Sequence, residues 1–138
     1  MGRAQVNGPP LLDTHEWVWW IQRDPRIESA AVERLDALPH EDRPYLADIS
    51  LWEVVMLTER GRLNLDAPVG DWLALATNPR TVNVVPISAA IAAETQRARM
   101  LRDPADRLIV ATSRILGVPL FTNDRPILRS RLVQRWLP

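Results

Sequence analysis

The chain alternates short apolar segments, of the length typical of buried strands, with longer segments whose apolar residues recur at helical spacing. Strands are predicted at 9–12, 45–47, 81–86 and 118–122, with a last edge strand at 133–137. Helices are predicted at 14–21, 27–38, 50–59, 68–75, 88–100 and 104–116, and a loop or short helix at 124–128. Strands that alternate with helices indicate an α/β fold with a mostly parallel central sheet.

The length and composition indicate one folded domain. The chain has 138 residues, of which 46% are hydrophobic, enough to build a core. No linker or internal repeat divides it. We therefore expect a single domain over residues 9–138, preceded by a flexible, polar tail at residues 1–8.

Charge and cysteine content exclude several classes of function. The formal net charge is zero, so no global basic field attracts nucleic acid, although a local basic patch remains compatible with this value. All 17 basic residues are arginine. The absence of cysteine excludes disulfides, thiolate catalysis and cysteine zinc sites. No apolar run is long enough to span a membrane and no signal peptide is evident, so we expect a cytoplasmic protein.

Four acidic residues lie where predicted strands end or predicted helices begin. Asp13 and Asp124 follow strands, and Glu53 and Asp106 lie near helix N-termini. Sites in parallel sheets form beyond the carboxyl ends of the strands, so these four positions can converge at one edge. Carboxylates embedded in apolar sequence are costly unless a positive group neutralises them, and a hard divalent cation prefers oxygen ligands. The pattern predicts a metal site.

Each acid also has an ordinary structural interpretation, which the sequence alone leaves open. These are a helix N-cap for Asp13, a capping box with Ser50 for Glu53, a first-turn acid for Asp106 beside the N-cap candidate Asp103, and a turn residue for Asp124. None of these interpretations requires the four side chains to meet. Their joint placement therefore favours a common site over four separate structural roles.

Three tryptophans at 17, 19 and 20 lie on one predicted helix. They could form a base-stacking platform, but such a cluster more often packs a core or an interface. Together with Trp52, they could receive a partner peptide or a second subunit, an interpretation that full burial of the rings in a monomer would exclude. His15, next to Asp13, has no second histidine at ligand spacing and is interpreted as a surface residue or a support for the site.

Several segments together resemble the PIN-domain ribonucleases, in particular the VapC-like toxins of bacterial toxin–antitoxin pairs. The segment 103–111, Asp-Pro-Ala-Asp-Arg-Leu-Ile-Val-Ala, is the most specific of them. The segments 11–15, 49–53, 61–63 and 120–124 accompany it in the order of the family, so that the resemblance covers almost the whole chain after the tail.

The resemblance implies a three-layer α/β/α sandwich and RNA cleavage that depends on Mg²⁺ or Mn²⁺. Its acidic quartet matches Asp13, Glu53, Asp106 and Asp124. It also implies a homodimer and inhibition by a cognate antitoxin that inserts a peptide near the acidic pocket. Thr14, Asp103, Arg107, Asn123 and Arg125 are then expected to support the ligands or contact the substrate. Leu57 and Leu101 replace a basic residue and a histidine that similar sequences often carry, which bears on substrate binding rather than on the metal ligands.

Two other functions compete with this one. The first is a catalytically silent PIN-fold module that binds RNA or a partner, which the intact quartet disfavours. The second is a metal-dependent phosphatase. A phosphatase with an aspartyl nucleophile would need a second carboxylate close after Asp13, where Thr14, His15 and Glu16 follow instead.

Overall fold

The computed structural model describes residues 8–138, so the predicted tail falls almost entirely outside the described residues. Residues 8–138 form four short strands, seven α-helices and two 3₁₀ turns. The strands are β1 (Leu11–Leu12), β2 (Tyr45–Ala47), β3 (Asn83–Val85) and β4 (Leu120–Phe121). The helices are α1 (Thr14–Gln22), α2 (Ser29–Asp36), α3 (Ile49–Glu59), α4 (Val69–Ala76), α5 (Ala89–Glu94), α6 (Pro104–Leu116) and α7 (Arg125–Ser130).

The sheet is parallel throughout, with strand order β3-β2-β1-β4. Leu12 of β1 lies opposite Leu46 of β2 on one side and Phe121 of β4 on the other. All four strands therefore end at the same edge, and the chain segments that follow β1, β2 and β4 begin there. The predicted parallel α/β architecture is confirmed.

Successive strand residues point to opposite faces of the sheet, and each face has its own core. Leu12, Leu46 and Phe121 pack with apolar residues of α1 to α4. Leu11, Ala47 and Leu120 pack with residues of α6 and α7 on the other face. Helices thus cover both faces of the sheet, as the three-layer sandwich requires.

The tryptophans divide between core and surface. Trp17 is fully buried, stands edge-on to Trp72 with ring centroids 5.0 Å apart, and donates its indole N–H to the carbonyl of Ala76 at 3.2 Å. Trp20 is also buried and donates to Asp36 at 3.0 Å. Burial of these two rings excludes them as a partner surface or stacking platform, because neither is accessible. Trp52 is 56% exposed.

Three local predictions were wrong. The predicted edge strand at 133–137 forms only an isolated parallel bridge between Leu120 and Arg135. The predicted helix 88–100 is α5 followed by a separate 3₁₀ turn over Thr95–Ala98. The capping box does not form, since α3 begins at Ile49 and Ser50 lies buried inside its first turn. For Ser50 a tertiary contact is the reason, since its hydroxyl lies 2.8 Å from that of Thr14.

Among residues 8–138, no helix has both the length and the apolar character needed to cross a bilayer.

Candidate active site

Asp13 follows β1 directly and is held at the carboxyl edge of the sheet. It is the N-cap of α1, and its Oδ1 accepts the backbone N–H of Thr14 at 2.8 Å. Its Oδ2 accepts the hydroxyl of Thr122 at 2.6 Å, because the pairing of β1 with β4 places Thr122 beside it. Asp13 is 7% exposed. The N-cap interpretation is therefore correct, and it coexists with a place in the acidic site.

Glu53 reaches the same edge from the first half of α3. Its Oε1 accepts a short hydrogen bond from the hydroxyl of Thr14, and that hydroxyl also lies 2.8 Å from Ser50 Oγ. All three side chains are buried. Ser50 thus supports Thr14 instead of capping α3, and Thr14 fixes the orientation of the Glu53 carboxylate.

Helix α6 contributes two acids from its N-terminus. Asp103 is the N-cap and accepts the backbone N–H of Ala105 at 2.9 Å, while Asp106 lies in the first turn. One carboxylate oxygen from each of Glu53, Asp103 and Asp106 lies within 4.8 Å of the others. Metal–oxygen bonds of about 2.0–2.6 Å put ligands of one ion at such separations. These three residues could therefore hold one divalent cation in this geometry.

Asp124 completes the acidic surface from the segment after β4. It is the N-cap of α7 and accepts the backbone N–H of Ile127 at 3.0 Å. A cleft of about 470 Å³ brings the acids together. Its lining includes all of the predicted quartet and Asp103, namely Asp13, Glu53, Asp103, Asp106 and Asp124.

Glu16 belongs to this site, although the sequence analysis assigned it no role. It is 2% exposed, lines the cleft, and accepts the backbone and side-chain N–H groups of Asn123, both at 3.2 Å. The available signal was its spacing, because residue i+3 after a helix N-cap faces the same side as the N-cap. Arg135 in turn donates to Asn123 Oδ1 at 2.9 Å, so Asn123 links Glu16 to the C-terminal segment.

Burial and mutual repulsion raise the pKa values of the acids. Desolvation raises the pKa of Asp106 to about 8, and the negative charges of Asp13, Asp103, Asp124 and Glu53 add to this effect. Desolvation also raises the pKa of Glu53 to about 7 and that of Glu16 to about 8. Burial raises the pKa of Asp13 as well, against its two hydrogen bonds. A cluster of this kind favours a bound cation over protons as the pH rises.

The stability of the metal-free protein should fall as the pH rises. A carboxyl whose folded-state pKa is raised binds its proton more tightly in the folded chain than in the unfolded chain. For Glu16 the ordinary pKa is 4.5 and the folded value about 8, so its ionisation destabilises the fold across that window. We expect the melting temperature in EDTA to drop by several degrees from about pH 5 to about pH 8. Excess Mg²⁺ should raise the melting temperature most at the higher pH, because the acids are then ionised and free to bind the cation.

The variant Glu16→Gln tests the origin of this slope. It should flatten the pH dependence, whereas Glu28→Gln, an exposed N-cap on α2 with no side-chain capping bond, should leave it unchanged. Differential scanning fluorimetry across the pH range measures both. Equal slopes in the two variants would contradict a contribution from Glu16.

Removing the Thr14 hydroxyl should lower the free energy of unfolding, because this group supports the acidic site through buried hydrogen bonds. Thr14→Val leaves Ser50 and Glu53 without their shared buried partner, and an unsatisfied buried polar group costs about 1–3 kcal/mol. Thr14→Ser keeps the hydroxyl and should therefore lose much less stability. Urea denaturation of the two variants measures the difference in the free energy of unfolding, and a Thr14→Val protein as stable as Thr14→Ser would refute the role of this hydrogen-bond pair.

The two arginines predicted beside the acids lie in different surroundings. Arg107 donates through its guanidinium to the backbone carbonyls of Leu101 and Arg99, and thereby ties the preceding turn to α6. Arg125 is exposed in the first turn of α7. Neither belongs to the lining of the acidic cleft. The arginines that do line it are Arg26, Arg60 and Arg62, none of which the sequence analysis selected.

An aromatic wall borders the acids on the α1 side. Trp19 is half-buried. The His15 ring lies beside it, tilted by 54° with ring centroids 5.7 Å apart, and Arg26 lies 5.2 Å from the centre of the Trp19 ring. All three residues line the cleft. The lining of the cleft therefore combines a cluster of acids with aromatic and cationic side chains.

Comparison with known proteins identifies the class to which this fold and site belong. The family model of the PIN domain matches residues 11–130. This match spans every strand and includes all the acids that line the cleft. The chain therefore belongs to the PIN domain family.

Among individual proteins, the chain is 40% identical to Ribonuclease VapC22 of Mycobacterium tuberculosis over 116 residues, which are 83% of this chain and 86% of that protein. Its fold is similar to the crystal structure of FitAcB from Neisseria gonorrhoeae, with a TM-score of 0.66 and 24% identity over 93% of this chain and 96% of that one. A toxin–antitoxin complex from Klebsiella pneumoniae gives a TM-score of 0.55 and 20% identity, covering 83% of this chain and 86% of that one.

Proposed function

We propose that this chain is a ribonuclease toxin of a toxin–antitoxin pair that hydrolyses RNA phosphodiester bonds with the help of Mg²⁺ or Mn²⁺. The observation that carries the proposal is the convergence of five acids on one cleft, three of which have oxygens within 4.8 Å of one another. The 40% identity to a protein named as a ribonuclease supports the RNA substrate, and the motifs that resemble VapC-like toxins support the toxin role. We assign the activity to a single domain over residues 9–138.

In this proposal Glu53, Asp103 and Asp106 hold the cation, and Asp13 and Asp124 complete the site. A divalent ion at this position would lower the pKa of water and offset the negative charge of the phosphate. Thr14 orients Glu53, and Thr122 orients Asp13, through the hydrogen bonds described above. Carboxylates held in this way need little rearrangement to bind the ion.

The cationic side of the cleft would bind the RNA backbone. Arg60 and Arg62 follow α3 and are both exposed, and no ion pair within residues 8–138 engages either guanidinium. Guanidinium groups bind phosphate through two parallel hydrogen bonds. Trp19 and His15 on the facing wall offer aromatic surface to a base. The scissile phosphate would then lie between these groups and the acids.

The partners in this proposal are RNA, a cognate antitoxin and a second copy of the chain. Trp52 is the tryptophan that still suits a protein contact, because more than half of its surface is exposed on α3. Lack of cysteine fits a reducing compartment, and we assign the protein to the cytoplasm.

The proposal is tested by incubating purified protein with total RNA in Mg²⁺, Mn²⁺ or EDTA. We expect discrete fragments with either metal and none in EDTA. Cleavage that persists unchanged in EDTA would overturn the metal-assisted mechanism.

A catalytically silent binding module gives a different result in the same experiment. Such a module would leave total RNA intact in every metal, and calorimetric titration would detect no ion binding even in excess Mg²⁺. Ion binding without cleavage would retain the metal site but remove the nuclease assignment for the RNAs present.

A further inference from the structure

Charge is distributed very unevenly along this electrically neutral chain. Residues 1–94 contain eight arginines and 14 acids, whereas residues 95–138 contain nine arginines and three acids, giving net charges of −6 and +6. The three acids of the second part are Asp103, Asp106 and Asp124, and all of them line the acidic cleft. Apart from the proposed metal site, every charged side chain after Glu94 is therefore cationic.

Three of these arginines share one surface depression, which we call the arginine cleft. It has a volume of about 510 Å³ and is lined by Arg97, Arg99, Met100, Arg114 and Leu132. Glu94 is the acid that contacts these guanidiniums, lying 2.7 Å from Arg114 and 3.6 Å from Arg97. One carboxylate thus pairs with two guanidiniums, so the three arginines leave the cleft with a net positive charge.

A fixed turn connects the arginine cleft to the proposed metal site. Arg107, which is adjacent to Asp106, donates to the carbonyls of Leu101 and Arg99 and so holds the turn between the two sites against α6. Three residues separate Arg99 from Asp103, so four peptide units join them and their Cα atoms lie at most about 14 Å apart. The two sites are therefore close enough along this turn for one bound strand to extend from one to the other.

The chemistry of the arginine cleft suits a polyanion with apolar faces. Guanidiniums bind phosphates, and Met100, which is 59% exposed, and Leu132 give the apolar surface against which a base can pack. The acids of the neighbouring site repel an RNA strand, so binding there requires compensating positive charge close by. We propose that the arginine cleft holds phosphates of the RNA strand that flanks the bond to be cut. This inference rests on the proposed function.

The test measures binding separately from cleavage. The probe is a fluorescently labelled single-stranded RNA of mixed sequence, and binding to the Asp106→Asn protein is followed by anisotropy at several salt concentrations. Adding Arg97→Ala and Arg99→Ala should weaken binding roughly tenfold or more and reduce the slope of log K against log salt by about 1.4, since each lost single-strand phosphate contact contributes about 0.7.

A matched control removes the same charge elsewhere. Arg23 and Arg80 are exposed arginines outside both clefts, and Arg23→Ala with Arg80→Ala should leave the salt slope unchanged. Replacing Arg97 and Arg99 by lysine retains the charges and should restore most of the slope. Melting temperatures equal to that of the Asp106→Asn parent show that each variant is folded.

Equal salt slopes in the alanine variants of the arginine cleft and in the control would overturn the inference. A labelled acidic peptide serves as a second probe. If the alanine variant of the arginine cleft loses binding to this peptide while its RNA binding is unchanged, the inference is overturned and the cleft is assigned to a protein partner. Cleavage by the wild-type protein is measured in parallel. If the wild-type protein cleaves RNA but the salt slopes are equal, RNA binding by the arginine cleft is refuted and the nuclease proposal stands. If the salt slope is reduced but the wild-type protein cleaves no RNA, the cleft remains an RNA-binding site and the nuclease proposal is refuted.

Discussion

Asp106→Asn will reduce the rate of RNA cleavage by at least about 100-fold while the protein stays folded. Asp106 lies in the first turn of α6, within 4.8 Å of oxygens of Glu53 and Asp103, and asparagine keeps its shape but removes its charge. Losing one charged ligand weakens both ion binding and stabilisation of the transition state, and comparable changes cost about 10²–10³ in rate. Initial rates of fragment formation at saturating Mg²⁺ measure the effect.

Stability provides the internal check on this variant. Because burial and neighbouring acids raise the pKa of Asp106 to about 8, the folded chain holds on this carboxyl near neutral pH a proton that the unfolded chain releases, which costs stability. Asparagine removes this cost, so the metal-free variant should melt at or above the wild-type temperature near neutral pH. Mg²⁺ should then raise its melting temperature less than it raises that of the wild type. Asp66→Asn, the same change at an exposed position after α3, is the matched control and should retain full activity. An Asp106→Asn enzyme with wild-type rates would exclude Asp106 from the mechanism.

Trp17→Ala will cause the largest loss of stability, about 3–5 kcal/mol, from a total that for such domains is about 5–15 kcal/mol. The Trp17 ring is fully buried, packs edge-on against Trp72 and donates to the carbonyl of Ala76. Alanine would leave a large cavity between α1 and α4 and a buried carbonyl without its donor. Urea unfolding followed by circular dichroism should show a much lower midpoint.

Trp52→Ala is the matched control for this experiment. Trp52 is 56% exposed, and a surface substitution of this kind changes the free energy of unfolding by about 0.5 kcal/mol or less. The same variant reports on partner binding, because it should weaken self-association or antitoxin binding if α3 contributes to either contact. Similar urea midpoints for Trp17→Ala and Trp52→Ala would show that the α1–α4 core does not stabilise the fold as its packing indicates.

The elements that were predicted correctly are those with strong local sequence signals. Strand segments with continuous apolar residues, such as 11–12 and 120–121, were located because a parallel sheet buried on both faces requires them. The end of α6 at Gly117 was also predicted, since this residue adopts φ +68° and glycine does so without strain. The capping-box interpretation of Ser50 and Glu53 was wrong, because the spacing of a capping box is also compatible with two side chains that face a neighbouring helix.

The sequence by itself indicated the class of fold and four positions from which acids can converge at one edge of the sheet. Asp13 and Asp124 follow strands that end at the same edge of a parallel sheet, and the family motifs are local to Glu53 and Asp106. Tertiary structure alone decided how the site is completed. Glu16 became part of it through its contacts with Asn123. Arg97, Arg99 and Arg114 came to share one cleft through the packing of α6 against the preceding turn. Such contacts join residues that are distant in the chain, and they depend on packing distances that no local pattern encodes.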